Sequence, residues 1–495
     1  MNAGSDVSTQ KADLVVVGGG TAAYEVAIAA RQLGVADVVM LEKAPLAEAG
    51  GNPRFSHSGF RWVQGGPEEI RGFLPDLDAA TFNKMEFRSY SEEDFHTDLE
   101  RATRGAMDQE LTDALVGDSN SALHWLLEIG LEWAPENHVE VDGRLYFEPG
   151  YSVHPLGGGL GQLARLKEIA ENMQIDVRYQ SRVSALHGNA RAVEGVEVTT
   201  PSGDYDLFSP VIVLCSGGFQ ANPEMRARYL GLNADLMKVR GSRHNTGEVL
   251  QMALGLGAAA SGHWQGAHAS VVDLHTPAFG ILGSEYNRYS YPYGITVNTQ
   301  GVRFCDEGAD LRMHTYARMG WTVLREPDGL AWQIFDQRTL NDVKGATMRP
   351  AYRHAPERQE AETIGELAKL IGVVPEVLED TVRRFNSACV DEAAFDPTVR
   401  DGKRTHGLVP PKSNWANPID SPPFAAFPVT AGITFTFGGL QVNRHAQVLD
   451  TGGDVIKGLY ASGDIVGLFY HGYVGSTGQT RNAVFSRRAA KHAFG

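Results

Sequence analysis

Gly18-x-Gly20-x-x-Ala23 stands directly after a Val-rich run, residues 13–17, and directly before an Ala-rich stretch, residues 21–30; Glu42 follows Gly20 by 22 positions. Together these residue types suit one kind of chemistry. Gly18 permits a tight turn, Gly20 lets backbone approach a pyrophosphate, Ala23 lets a helix pack close to a strand, and an acid at this distance accepts from a ribose hydroxyl. A buried strand must deliver the loop and a helix must open on it. The spacing therefore predicts a βαβ unit of residues 13–17, residues 21–30 and Val38–Leu41. Its ligand is a dinucleotide, FAD or NAD, and Glu42 argues against a 2′-phosphate, which it would repel.

Further glycine clusters punctuate the chain: Gly50-Gly51-Asn52, then Ser56-His57-Ser58-Gly59, Gly157-Gly158-Gly159 and Ser216-Gly217-Gly218-Phe219. The last of these follows an apolar strand at residues 211–214. Paired glycines at the end of a buried strand either press backbone against a flat or phosphorylated ligand or simply turn sharply. Other strands are predicted at 176–179, 193–199 and 206–208, with a mostly helical region at 92–131 and a helix at 160–172. From residue 263 to 428 the chain turns Tyr-rich and Pro-rich around a helical stretch at 357–386, which reads as an inserted second domain. Tyr286, Tyr289, Tyr291 and Tyr293 either line an aromatic pocket or pack against one another. The end of the chain returns to the opening idiom. Gly458-Leu459-Tyr460-Ala461-Ser462-Gly463-Asp464 is followed by Gly467, Gly472, Gly475 and Gly478 and a helix at 480–492.

Composition narrows the partners. With 495 residues, two or three folded units are expected. The 44 Lys and Arg against 60 Asp and Glu give a net charge of −16, which disfavours nucleic acid but permits a local cationic pocket. Cys215, Cys305 and Cys389 are far apart, so no disulfide framework, Cys-rich zinc site or iron–sulfur cluster is expected, and no metal site is predicted. A polar N-terminus and the absence of a long apolar run lead to the expectation of a cytoplasmic protein with no transmembrane segment.

The ordered set of motifs resembles the fumarate reductase and succinate dehydrogenase flavoprotein family over nearly the whole chain. Within it, residues 301–312 (GVRFCDEGADLR), 432–440 (GITFTFGGL) and 467–471 (GLFYH) are most similar to the tricarballylate dehydrogenase-like members. The resemblance implies an α/β fold with a Rossmann-like FAD-binding domain in two segments, residues 10–263 and 430–495, and an inserted α+β capping domain, residues 264–429. It implies FAD contacts from Gly18, Gly20, Ala23, Glu42 and Lys43, and from Gly51, Asn52, Ser58, Gly59 and Val183. Gly217, Gly218, Asp464, Gly475, Ser476 and Gly478 complete that set. In succinate dehydrogenases a His attaches FAD covalently; that position falls on Asn52, so dissociable FAD is expected.

The implied reaction forms or reduces a C=C bond beside a carboxylate or carbonyl of a small acid. Arg312 matches the arginine that meets substrate and proton, and His268 a carboxylate-binding histidine. His471, Tyr470, Tyr473 and Thr436 are the other candidate catalytic residues. Two departures stand out. Thr434 replaces a histidine of the fumarate reductases, and their second arginine finds only the Gly475 region, with Arg481 read as a surface helix residue. The incomplete arginine set keeps α,β-desaturation of a cyclic ketone as an alternative, and a non-catalytic electron-transfer subunit as an alternative of another class. Electrons are expected to leave to a partner protein, quinone or oxygen.

Overall fold

Leu14–Val17 is buried along its whole length, as a strand inside a parallel sheet must be. In the computed structural model, which describes residues 8–281, 285–341, 348, 350–353, 355, 357–390 and 392–495, this strand pairs in parallel with Val38–Leu41 and with Ile212–Leu214. Asp176–Arg178 continues the sheet beyond Val38–Leu41. Val455–Ala461, from the far end of the chain, joins on the other side by pairing with Ile212–Leu214. The sheet is thus assembled from both ends of the sequence. Arg182–Asn189, Ala192–Thr200 and Gly203–Phe208 add an antiparallel flank. The small residues of the Thr21–Gln32 helix let the terminal helix Thr477–Phe494 pack closely against it.

A second sheet is built around one long strand, Phe424–Thr436, buried along all but one of its 13 residues. Ala267–Asp273, Leu330–Phe335 and Gln359–Ala361 pair with it antiparallel, and Lys238–Val239 pairs with it in parallel. Ile295–Asn298 extends the sheet beyond Leu330–Phe335. The ladder runs unbroken across residues 429 and 430, and Lys238–Val239 joins it from the earlier part of the chain.

The mostly helical region 92–131 and the helical stretch 357–386 each hold more than one element. Residues 92–131 form Glu92–Thr103 and Gln109–Glu128, because Arg104 turns left-handed at φ 57° and Asp108 caps the next helix. Residues 357–386 hold the strand Gln359–Ala361 and the helices Ile364–Leu370 and Pro375–Ala388. Gly372 at φ 73° and a Pro at the start of the second helix separate them. Among the described residues, no helix is long and apolar enough to cross a membrane.

Candidate active site

The ends of the parallel strands border a cleft with about 860 Å³ of empty space. Gly18, Gly20, Glu42, Lys43, Gly51, Asn52, Val183, Gly217 and Asp464 all line it. Only glycine fits at position 18, where φ is 131° and a Cβ would lie 2.4 Å from the carbonyl oxygen of Cys215. No side chain caps the start of the Thr21–Gln32 helix, so its first N–H groups remain open to an anion. Buried Ala23 supplies the close helix packing. Glu42 is 7% exposed, and one of its oxygens accepts from the Ala44 N–H at 2.7 Å. Burial lifts its pKa, an expense that a ribose hydroxyl donating to the carboxylate would offset. Lys43 donates to Thr246 Oγ1 at 2.7 Å and lies 3.5 Å from Glu248. A cradle without side chains, an uncapped helix start and a buried acid fit the adenosine diphosphate portion of FAD.

The other end of the cleft is fixed by side chains. Asn52 donates to the Thr434 carbonyl, while its oxygen accepts from Ser242 N–H and Asn245 Nδ2, each at 3.0 Å. Asp464 pairs with Arg481. Arg481 is not a surface residue: it is 1% exposed, because the terminal helix turns this position inward, against the rings of Phe435 and Phe469. Ser58, Gly59, Gly475, Ser476 and Gly478 lie outside the lining of this cleft. Ser58 Oγ accepts from Gln479 Nε2 at 3.3 Å. Gly59 and Gly475 have no room for a Cβ, which would meet the Tyr151 ring at 2.4 Å and Met313 Cε at 2.2 Å respectively. Ser476 starts the terminal helix at φ 71°, and the Gly478 N–H donates to Tyr473 Oη at 2.9 Å. Gly218 packs on Thr436 Oγ1, 2.3 Å from where a Cβ would stand.

A second constellation gathers cations and aromatic rings. Arg312 opens the helix Arg312–Leu324, and its guanidinium lies 5.8 Å from the ring centres of both Tyr289 and Tyr316. Arg240 approaches the same Tyr289 ring, also at 5.8 Å. It donates to Ser270 Oγ at 2.9 Å and to Thr434 Oγ1 at 2.7 Å. His268 sits edge-on to Tyr316 and Tyr473, with centroids 5.0 and 5.1 Å away, and stacks on Phe435. Burial, then the charge of Arg240, holds the His268 pKa well below its ordinary value, so the imidazole is neutral at pH 7. Burial alone would lower the pKa of Arg312, but the charge of Glu148, 3.5 Å away, opposes it and the guanidinium stays charged. Burial pushes Tyr473 up to about 12. Three polar atoms of this group are buried without a partner: Arg240 Nε, Tyr289 Oη and His268 Nδ1. Each of the three can donate, so an acceptor-rich anion complements them.

Arg240 has no counterpart among the residues singled out by sequence. It follows a two-residue strand with no motif around it, and only the parallel pairing of Lys238–Val239 with Gly432 and Ile433 carries it into the site. Of the four tyrosines, Tyr289 joins the cationic group, while Tyr293 packs on Trp415 at 5.8 Å. His471 and Tyr470 do not join it. Tyr470 Oη accepts from the Gly262 N–H at 3.1 Å. His471 is exposed at φ 56°, 5.2 Å from the ring of His263, on a separate cleft that Arg104, Arg318 and Arg325 also line.

A two-segment dinucleotide fold whose cleft lies at the carboxyl ends of parallel strands, with a cationic aromatic site beside it, defines a flavoprotein class. The chain belongs to the FAD-binding domain family, whose model matches residues 13–480. It binds FAD and is an FAD-dependent oxidoreductase. The chain is 29% identical over 508 residues to the probable fumarate reductase Ifc3 of Shewanella frigidimarina, covering 99% of this chain and 76% of that protein. It is 27% identical over 500 residues to the urocanate reductase of Eggerthella lenta, covering 98% and 75%. The open conformation of a flavocytochrome c3 fumarate reductase superposes with a TM-score of 0.73 at 26% identity, covering 99% of this chain and 79% of that one.

Proposed function

We propose that this enzyme acts on a CH–CH group, introducing or reducing a C=C bond beside a carboxylate of a small polycarboxylic acid of the tricarballylate type. The observation that carries this reading is the pair of arginines, Arg240 and Arg312, each 5.8 Å from the centre of one tyrosine ring, among buried donors that lack acceptors. FAD, when bound, supplies the two-electron partner for hydride transfer. The chain's own groups hold and polarise the substrate. Arg240 and Arg312 bind carboxylates, neutral His268 and Tyr289 donate hydrogen bonds, and Arg312 is placed to serve the proton that leaves or enters the α-carbon. Tyr316 and Tyr473 enclose His268 and keep water from it. Residues 264–429 form the cap over this site, with 10–263 and 430–495 holding FAD, and Phe424–Thr436 continuous between cap and FAD segment. Electrons pass to an external acceptor, a partner protein, quinone or oxygen. Arg240 supplies the second cation whose absence favoured a neutral ketone.

Anaerobic flavin spectroscopy tests the reading. Small di- and tricarboxylates are expected to bleach the oxidised flavin or reoxidise the reduced one, and Arg240→Gln should raise KM for them about tenfold or more, the scale of one lost charge-assisted hydrogen bond. Reaction with cyclic ketones alone would sink the proposal. Asn52, with both ends of its amide engaged, offers no attachment point for flavin. Acid precipitation is therefore expected to release all the yellow colour into the supernatant, whereas colour retained in the pellet would show a covalent bond.

A further inference from the structure

His57, Glu136 and His154 come from three separate stretches and meet outside the linings of both clefts. His57 lies in the loop before Ser58. Glu136 directly follows the strand Trp133–Pro135, and His154 lies in Val153–Pro155; the antiparallel pairing of these two strands brings the last two together. His57 Nε2 is 2.7 Å from Glu136 Oε1, and His154 Nδ1 is 3.5 Å from Glu136 Oε2. One nitrogen from each imidazole and one carboxylate oxygen lie within 4.8 Å of one another. A tetrahedral ion with bonds of about 2.0–2.1 Å spaces its ligands about 3.3 Å apart, inside the range these atoms already span.

Protein groups alone leave the cluster poorly satisfied. The Glu136 side chain is completely buried; its Oε1 accepts from the Asn137 N–H at 2.9 Å, the Tyr151 hydroxyl lies beside the carboxylate, and Oε2 and His154 Nδ1 have no hydrogen bond of good geometry. His57 Nε2 faces contradictory neighbours, the Glu136 carboxylate, which needs a donor, and Asn137 Nδ2 at 3.1 Å, which is itself a donor. The Asn137 amide cannot flip without cost, because the same Nδ2 donates to Glu136 Oε1 at 2.8 Å. The two imidazole rings are 4.0 Å apart, so protonating both to balance the carboxylate would set like charges against each other. A cation between the three groups uses the lone pairs of both nitrogens and the orphaned oxygen together.

We propose that His57, Glu136 and His154 bind one divalent first-row transition ion, with zinc as the ordinary occupant. Two imidazoles and a carboxylate are a borderline donor set that suits zinc and its neighbours better than calcium or magnesium. The His57 side chain is 43% exposed and gives the ion a path to solvent and a position for water. The bound ion pins the loop carrying Ser58 and Gly59 to the paired strands Trp133–Pro135 and Val153–Pro155. This site is absent from the sequence-based expectation because no two of its ligands share a local spacing.

The test is zinc retention by FAD-loaded protein after equilibrium dialysis, measured by elemental analysis, with X-ray absorption at the zinc edge. Wild type and His187→Ala, which removes a histidine paired with Asp206 elsewhere, should each retain one zinc per chain with two imidazole ligands. His57→Ala and Glu136→Gln should bind at least tenfold more weakly, with flavin content and circular dichroism unchanged. Should Glu136→Gln fail to fold, the partly exposed His57→Ala carries the comparison. No zinc in the wild-type protein, or equal zinc in wild type and His57→Ala, would overturn the proposal.

Discussion

Arg312→Ala is expected to lower kcat/KM by about a thousandfold while FAD occupancy and the flavin spectrum stay unchanged. The expected size combines loss of a charged donor at the reacting centre, about 10²–10³ for one such donor, with loss of substrate anchoring. Arg312 is also the ion-pair partner of Glu148, 3.5 Å away, so its removal leaves that carboxylate without its cation. Arg312→Lys restores charge without the planar fork, and its activity should recover only in part. Steady-state kinetics with the best carboxylate found by flavin bleaching supplies the measurement. A loss smaller than tenfold would remove Arg312 from the reacting centre.

Arg481→Met is expected to destabilise the protein by about 3 kcal/mol, with weakened FAD retention. The guanidinium is nearly inaccessible and Asp464 is its ion-pair partner, so the substitution strands a largely buried carboxylate at the edge of the cofactor cleft. Breaking one side of a buried pair costs about 3–5 kcal/mol, and the partial exposure of Asp464 places the expectation at the lower end. Denaturant unfolding followed by tryptophan and flavin fluorescence measures it. Removing both charges, as Arg481→Met with Asp464→Leu, should recover much of the stability but not the FAD affinity. Near-native stability in the single variant would show that Asp464 is solvated without its partner.

The cofactor half of the molecule was legible because its signals are local. Gly18, Gly20 and Glu42 announce themselves through short spacings that a single βαβ unit enforces, and all three line the cleft. The substrate half depends on side chains joined by distant pairings. Arg240 reaches Thr434 across 194 positions, and Tyr289 becomes informative only when Arg240 and Arg312 are both found beside its ring. Arg481 was misplaced because a charged residue in a terminal helix reads as solvated until its inward face is known. His471 sits in a recognisable motif, yet with a left-handed backbone it lines a separate cleft. The helix ends at Arg104 and Gly372 were not located by the reading of two helical regions, because apolar periodicity resumes on both sides of a short left-handed turn.

The strand Phe424–Thr436 works as a beam. At about 3.3 Å per residue its 13 residues span about 43 Å. One end is embedded in the core of the second sheet, while Phe435 at the other supports the His268 ring and Thr436 abuts Gly218. The same continuous strand thus underlies both the seat of His268 and the glycine loop, so substrate grip and cofactor seating share one support.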